Sequence, residues 1–232
     1  MLLLLPPSEG KAMPAKGRKP VDLAALPFPT VLGPLRERLI EVVDPALLTA
    51  PAAPAAEVYD GVLFGQLDLA SLPTAARRRA ARSVLIASGL WGLVGPSDRI
   101  PHYKLPIDAK PAGAGGGTLA AAWRPLVAEA LAERDAARTL VVDCRSGGYA
   151  AVWKPRQAAR VEVRAFAVKP DGSRQVISHN AKATRGRVAR ELLLAARAPR
   201  KPADVAAIAT AAGLDVELTG AGATWTLDVL ER

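Results

Sequence analysis

The chain opens on an unbroken apolar run, Leu2–Leu5, that stops at Pro6-Pro7, two residues unable to donate to a sheet ladder. A short run bounded by breakers predicts a strand buried on both faces. Val31–Val43 spaces Leu35, Leu39 and Val42 as a helix does and ends before Pro45. Pro51–Ala56 is low in complexity and reads as a linker. Thr74–Ser88 reads as a helix with Thr74 as N-cap and with Arg77, Arg78, Arg79 and Arg82 in its first half. Cations there oppose the helix dipole, so helix stability alone does not favour them. Gly89–Pro96 is turn-forming, Ala112–Gly117 is a flexible loop, and Thr118–Arg134 is a helix kinked or delayed by Pro125. Thr139–Asp143 is a second buried strand. Val161–Val168, Asp171-Gly172 and Gln175–Ser178 make a hairpin. Thr184–Ala196 and Ala203–Ala212 are helices, the latter closed by Gly213 at C′. Val216–Leu218 and Thr224–Val229 form a last hairpin. The interleaving predicts one compact α+β domain over residues 1–232, a mixed β-sheet wrapped by helices, without an internal repeat.

Composition narrows the partners. A chain of 232 residues that is 50% hydrophobic and 23% charged buries a full core and is not disordered. Lysine and arginine total 31 against 22 acids, a net charge of +9, which points to a polyanion such as nucleic acid or an anionic membrane surface. The competing explanation is compositional: 22 of the 31 cations are arginine and alanine abounds, the signature of a GC-rich genome. Met1–Leu5 lacks a basic flank and is too short for a signal peptide or a membrane span, so a soluble chain is expected. The lone Cys144 has no intramolecular partner, which suits a reducing, cytoplasmic compartment, and its place after an apolar run reads as a buried structural thiol. His102, His179 and one cysteine supply no zinc or haem ligand set, and no cofactor is expected.

Three places carry candidate chemistry. Ser8 and Lys11 lie in the loop directly after the first strand, where a rigid sheet fixes side chains and a lysine can hold phosphate as a point charge; an ordinary polar loop is the alternative. Ser88, Gly89 and Gly92, followed by Asp98, Arg99, His102, Tyr103 and Lys104, follow a basic helix, an arrangement similar to a helix-hairpin-helix in which backbone amides receive a DNA phosphate. The two glycines stand three apart rather than the usual two, so a tight structural turn competes. Third, Lys182 and Arg185 stand at the start of the expected Thr184–Ala196 helix. That helix places Val188, Leu192, Ala195 and Ala196 on one face and Arg187, Arg190 and Arg197 on the other. From Lys154 to Lys201, thirteen cations face only Glu162, Asp171 and Glu191, a local surplus of 13 − 3 = +10. A solvated basic face would explain it, but the segregation favours a polyanion.

At these places the sequence resembles the YaaA-like peroxide-stress proteins. The matching stretches are PPSEGK at Pro6–Lys11, YDGVLFGQLD at Tyr59–Asp68 and SGLWGLVGPSDRIPHYKL at Ser88–Leu105. They continue with SGGY at Ser146–Tyr149, Lys154-Pro155 and ISHNAKATRG at Ile177–Gly186. The resemblance implies a mixed sheet wrapped by helices, a helix-hairpin-helix element, and a basic cleft that binds double-stranded or branched DNA in connection with oxidative damage. Carried onto this chain, Lys11, Arg99, Lys104, Lys182 and Arg185 become cleft residues and Ser88, Gly89 and Gly92 the hairpin; Lys154, Arg187 and Arg190, from the basic segment, are expected to face DNA as well. Thr184 and His179-Asn180 depart from the small apolar residue and the aromatic pair common in the family.

Two functions remain. In the first, the protein binds DNA backbone irrespective of sequence. In the second, it is an enzyme acting on a nucleic acid or nucleotide, with Ser8, Lys11, Asp98, Tyr103, Ser146, Tyr149, Lys182 and Arg185 in one pocket.

Overall fold

The computed structural model describes residues 1–176 and 180–231. The strands are β1 (Leu2–Leu5), β2 (Ala52–Pro54), β3 (Val84–Ser88), β4 (Gly92–Val94), β5 (Arg99–Pro101), β6 (Leu140–Asp143), β7 (Ala159–Val168), β8 (Arg174–Val176), β9 (Val216–Ala221) and β10 (Thr224–Glu231). The α-helices are α1 (Pro29–Val43), α2 (Ala55–Val58), α3 (Val62–Leu67), α4 (Thr74–Ser83), α5 (Leu119–Ala130), α6 (Gly147–Ala150), α7 (Asn180–Leu194) and α8 (Pro202–Ala211). The main sheet runs β4-β3-β1-β6-β7-β10-β9, with β8 pairing the far end of β7. Its five middle strands are parallel, while β4, β8 and β9 run antiparallel to their neighbours. The fold is thus α+β with a mixed sheet, and β2 and β5 form a separate antiparallel pair.

The central position of β1 explains its sequence. No residue of Leu2–Leu5 is more than 1% exposed, and parallel neighbours flank the strand on both sides. Edge strand β9 instead alternates, with Val216 and Leu218 packed on the core and Glu217 and Thr219 outward. The two expected hairpins form, as β7–β8 and β9–β10, and Gly213 follows α8 at φ +78°. Residues 177–179, the last two of the expected Gln175–Ser178 strand and His179, which together open the ISHNAKATRG stretch, lie outside the described residues.

Several expectations need correction. Thr74–Ser88 is not one helix: α4 ends at Ser83, and Val84–Ser88 is β3, pairing with β1. β-Branched Val84 and Ile86 suit a pleated, covered surface, and they are 1% and 0% exposed. Pro73 rather than Thr74 occupies the cap position. Arg79 of α4 donates to the carbonyls of Leu193 (2.8 Å) and Ala195 at the end of α7, where a helix C-terminus attracts a cation. Pro51–Ala56 is no linker: Ala52 and Ala53 pair with β5, and with Ala55 they are at most 2% exposed. The Thr118–Arg134 helix is shorter, since α5 stops at Ala130, and Thr118 caps it by accepting from the Ala121 amide. Helix α7 begins at Asn180, so Lys182 and Arg185 lie within its first two turns.

The structure shows no helix-hairpin-helix at Ser88, Gly89 and Gly92, where one was expected. Helix α4 runs directly into β3, and residues 88–92 join two antiparallel strands. That turn is buried. A Cβ on Gly89 would stand 2.3 Å from the Leu105 carbonyl oxygen, and one on Gly92, at φ +70°, 2.9 Å from the Trp123 ring. Trp123 Nε1 also donates to the Gly89 carbonyl at 2.8 Å. Protein atoms occupy the space a phosphate was expected to take.

Candidate functional site

Strands β3, β1 and β6 are neighbours and parallel, so the segments after Leu5, Ser88 and Asp143 leave the sheet side by side. In open parallel sheets this carboxyl edge is where ligands bind. Pro6 and Pro7 end the β1 ladder and release the loop that carries Ser8, Glu9 and Lys11. That loop is tied to the segment between α2 and α3. Ser8 Oγ accepts from the Asp60 amide at 3.0 Å and donates to the Gly10 carbonyl, Ala12 N–H donates to Val58 O at 2.8 Å, and Lys11 bridges Tyr59.

Lys11 therefore points at aromatic rings. Its Nζ lies 4.6 Å from the Tyr103 ring centre and 5.9 Å from that of Tyr59, and it donates to the Ser8 carbonyl at 3.0 Å. Half-burial lowers its pKa from the usual lysine value. Tyr59 stacks on Phe64 at 5.4 Å, and its hydroxyl lies 2.8 Å from that of Tyr103, which lies 2.7 Å from Ser88 Oγ. Burial pushes both phenols well above the usual tyrosine range. Tyr149 of α6 stands beside them. Burial, then nearby Asp108, push it up to about 12, partly offset by the Ile107 amide. The chain has three tyrosines, and all three meet here.

The β6 end is built on a buried ion cluster. Asp143 binds Arg145 through both carboxylate oxygens (2.8 Å each) and Arg160 at 2.8 Å. Burial would raise the Asp143 pKa, but the two guanidinium groups hold it below the ordinary value. Arg145 also donates to the carbonyls of Tyr149 (3.2 Å) and Trp153 (2.6 Å), which fixes the α6 turn carrying exposed Ser146 and half-buried Tyr149. Cys144 is buried, and burial pushes its thiol up to about 12.

The structure thus brings Ser8, Lys11, Ser88, Tyr103 and Tyr149 to one edge, with Lys182 joined to Glu9 at 2.7 Å. Ser146 lies on the rim. Asp98 is elsewhere: it accepts from the Gly95 amide and faces buried Arg36, with its pKa raised by burial. Arg99 donates to the Ala52 carbonyl within the β2–β5 pair. Arg185 Nε donates at 3.0 Å to Val163 O, a carbonyl of β7 between its pairings with β6 and β8. Arg190 clamps the end of α3, donating to the carbonyls of Leu67 and Asp68 (2.9 Å each) and to Ser71 Oγ (2.8 Å). Lys104, Lys154 and Arg187 are exposed and form no ion pair among the described residues. The +10 segment is therefore not a basic face as a whole. Arg160, Arg164, Arg174, Lys182 and Arg190 meet Asp143, Asp228, Glu217, Glu9 and Asp68, all distant in sequence.

Two residues of the site went unmarked in the sequence reading. Tyr59 lies inside the matched Tyr59–Asp68 stretch, and the scarcity of tyrosine was the available signal. Arg145 follows a strand-end aspartate by two residues, a pattern too common to stand out. Among the described residues, no group of three His, Cys, Asp or Glu is placed to hold a metal, and no helix is long and apolar enough to cross a membrane.

The comparisons with known proteins agree with the sequence resemblance. A family model described as peroxide stress protein YaaA matches residues 34–217, a span that includes Tyr59, Ser88, Tyr103, Tyr149 and Lys182. A UPF0246 protein of Streptomyces coelicolor is 42% identical over 99% of this chain and 98% of its own. Relatives in Corynebacterium glutamicum and Corynebacterium efficiens are each 37% identical, covering 94% and 99% of this chain and 95% and 100% of theirs. With Tyr59, Ser88, Tyr103 and Tyr149 of the carboxyl edge inside the matched span and these relatives aligned over nearly their full length, the chain belongs to the YaaA family of peroxide-stress proteins.

Proposed function

We propose that the protein acts in peroxide stress by binding DNA through its phosphate backbone at the carboxyl edge of β1, β3 and β6. The carrying observation is a set of cations without an internal acid. Lys11 has none, Lys104 and Lys154 are exposed and unpaired among the described residues, and the Lys182–Glu9 pair is exposed enough to exchange its carboxylate for a phosphate. Exposed Arg187 adds a fifth contact from α7. Ion pairing removes charges in equal numbers, so the net +9 stays available to a polyanion. Cys144 supports the same reading from the other side: a buried thiol with its pKa near 12 is a poor peroxide scavenger, so protection by contact with DNA is the better account.

Titration of duplex DNA over a range of salt tests this. Five phosphate contacts give a slope of log K against log salt of about −4 to −5, with little preference among sequences. Lys104→Ala with Lys154→Ala makes the slope shallower by about two units. A wild-type slope shallower than about −2 refutes the proposal.

One observation favours the second reading, an enzyme acting on a nucleic acid or nucleotide. Lys11 sits half-buried among hydroxyls in a convergent arrangement. Asp98 and Arg185, two members of the expected catalytic group, are held elsewhere. Turnover of an oligonucleotide or nucleotide by the wild-type protein, lost in Lys11→Ala, would establish the enzyme.

A further inference from the structure

The loop that leaves β1 runs on past Lys11 as a basic segment. From Gly10 to Val21 it holds four cations, Lys11, Lys16, Arg18 and Lys19, and no acid. Lys16 and Lys19 are exposed and form no ion pair among the described residues. Arg18 meets Glu57 at 2.7 Å, but both side chains are exposed, so a phosphate can replace that carboxylate. Between these cations stands Met13. It is the most exposed large apolar side chain among the described residues, at 74% against 47% for the next, Val42.

A lone exposed apolar residue is ordinary on a protein surface. What sets Met13 apart is how it is held. Ala12 N–H donates to the Val58 carbonyl at 2.8 Å, and the Lys19 carbonyl accepts from Ala52 N–H at 3.2 Å, so α2 and β2 tie down both ends of the segment. Gly17, at φ +78°, turns the chain between them. Pro14 restricts the residue before it to extended backbone, so Met13 swings little on its main chain. Its side chain is long, unbranched and polarizable, suited to filling an irregular apolar gap. An apolar tip held firmly between cations fits a surface that offers phosphates on either side of an apolar gap. Stacked base pairs between two sugar–phosphate strands are such a surface.

We infer that Met13 is a wedge: the cations of the loop sit on the phosphates of duplex DNA while the thioether side chain enters between two base pairs and kinks the double helix. The wedge deepens the DNA-binding reading and rests on it. It adds what phosphate contacts alone do not supply, an apolar contribution that salt does not screen and a bend in the DNA.

The test titrates the full chain, with Met13→Ala and Met13→Leu alongside, against a short duplex carrying a donor and an acceptor dye at its ends and 2-aminopurine at its centre. The wild type is expected to bring the ends closer, by a bend of about 20–90°, and to raise 2-aminopurine fluorescence as the bases unstack. Met13→Ala removes apolar burial but no charge. Its affinity falls about tenfold, its slope of log K against log salt is unchanged, and the DNA stays straight. Met13→Leu keeps the wild-type affinity and bend. A side chain this exposed contributes little to the fold, so the melts of all three proteins coincide. Wild-type affinity and bend in Met13→Ala overturn the wedge and leave backbone binding standing, and so does a wild type that binds duplex without bending it. A wild type that binds no duplex sinks the wedge and the DNA-binding reading together.

Discussion

Replacing Asp143 with alanine would strand two guanidinium groups inside the protein. The Asp143 and Arg145 side chains are 1% exposed and that of Arg160 is 8% exposed, so water cannot take over from the lost carboxylate. The carboxylate accepts four hydrogen bonds, from the Arg145 amide (3.1 Å), Arg145 Nε and Nη2 and Arg160 Nε (2.8 Å each). Breaking a buried pair from one side costs about 3–5 kcal/mol, which for a chain of this size lowers Tm by roughly 6–20 °C. The pH dependence follows from the depressed Asp143 pKa. The contribution is complete above the ordinary carboxylate value of 3.8 and is lost as pH falls through the lower value in the folded protein. Urea melts followed by tryptophan fluorescence at neutral pH and along an acid series give the readout. Asp143→Ala should show a large deficit at pH 7 that closes as the wild type is acidified. A neutral-pH deficit below about 1 kcal/mol, or one that does not change down to the acid limit, would refute the argument. Arg145 also holds the Tyr149 and Trp153 carbonyls, so the folded fraction of the variant should show α6 displaced and Tyr149 titrating closer to a free phenol.

Two further outcomes separate packing from function. Gly89→Ala forces a Cβ to 2.3 Å from the Leu105 carbonyl oxygen, so it should lower stability by about 1–3 kcal/mol in a denaturant melt; an unchanged melt with lost DNA affinity would restore the hairpin as a phosphate contact. Cys144→Ala should keep peroxide protection in cells, and native Cys144 should react with a thiol reagent only at the rate of global unfolding; rapid labelling of the folded protein would contradict its thiol being pushed up to about 12.

The sequence by itself determined the elements whose signals are local. The run Leu2–Leu5 between its start and Pro6 is a buried strand in any compact arrangement, and it became the middle of the sheet. Gly213 closed its helix because positive φ at C′ costs glycine little. Turn residues at Asp171-Gly172 and strand alternation around Thr224 likewise act within a few residues, and both hairpins formed. Family membership was legible for a related reason: six short motifs in order survive without any knowledge of their contacts.

Tertiary structure decided everything that depends on which distant residues meet. The boundary at Ser83 was invisible because Val84–Ser88 fits either period, and only pairing with Leu3–Leu5 selects the strand. The glycines of residues 89 and 92 are used for close approach, as their type suggests, but to Leu105 and Trp123 rather than to a phosphate. Most clearly, charge counted along a chain is not charge in space. Lys182 meets Glu9 across 173 residues and Arg164 meets Asp228 across 64, so the basic segment is partly neutralised by acids from outside it. The site is likewise assembled from the ends of three strands, β1, β3 and β6, that are adjacent only because parallel pairing requires long crossovers between sequence neighbours. Local chemistry could nominate Ser8, Lys11, Tyr103 and Tyr149 one by one. Their convergence, and the contact of the Ser88, Tyr103 and Tyr59 hydroxyls, exist only in the folded sheet.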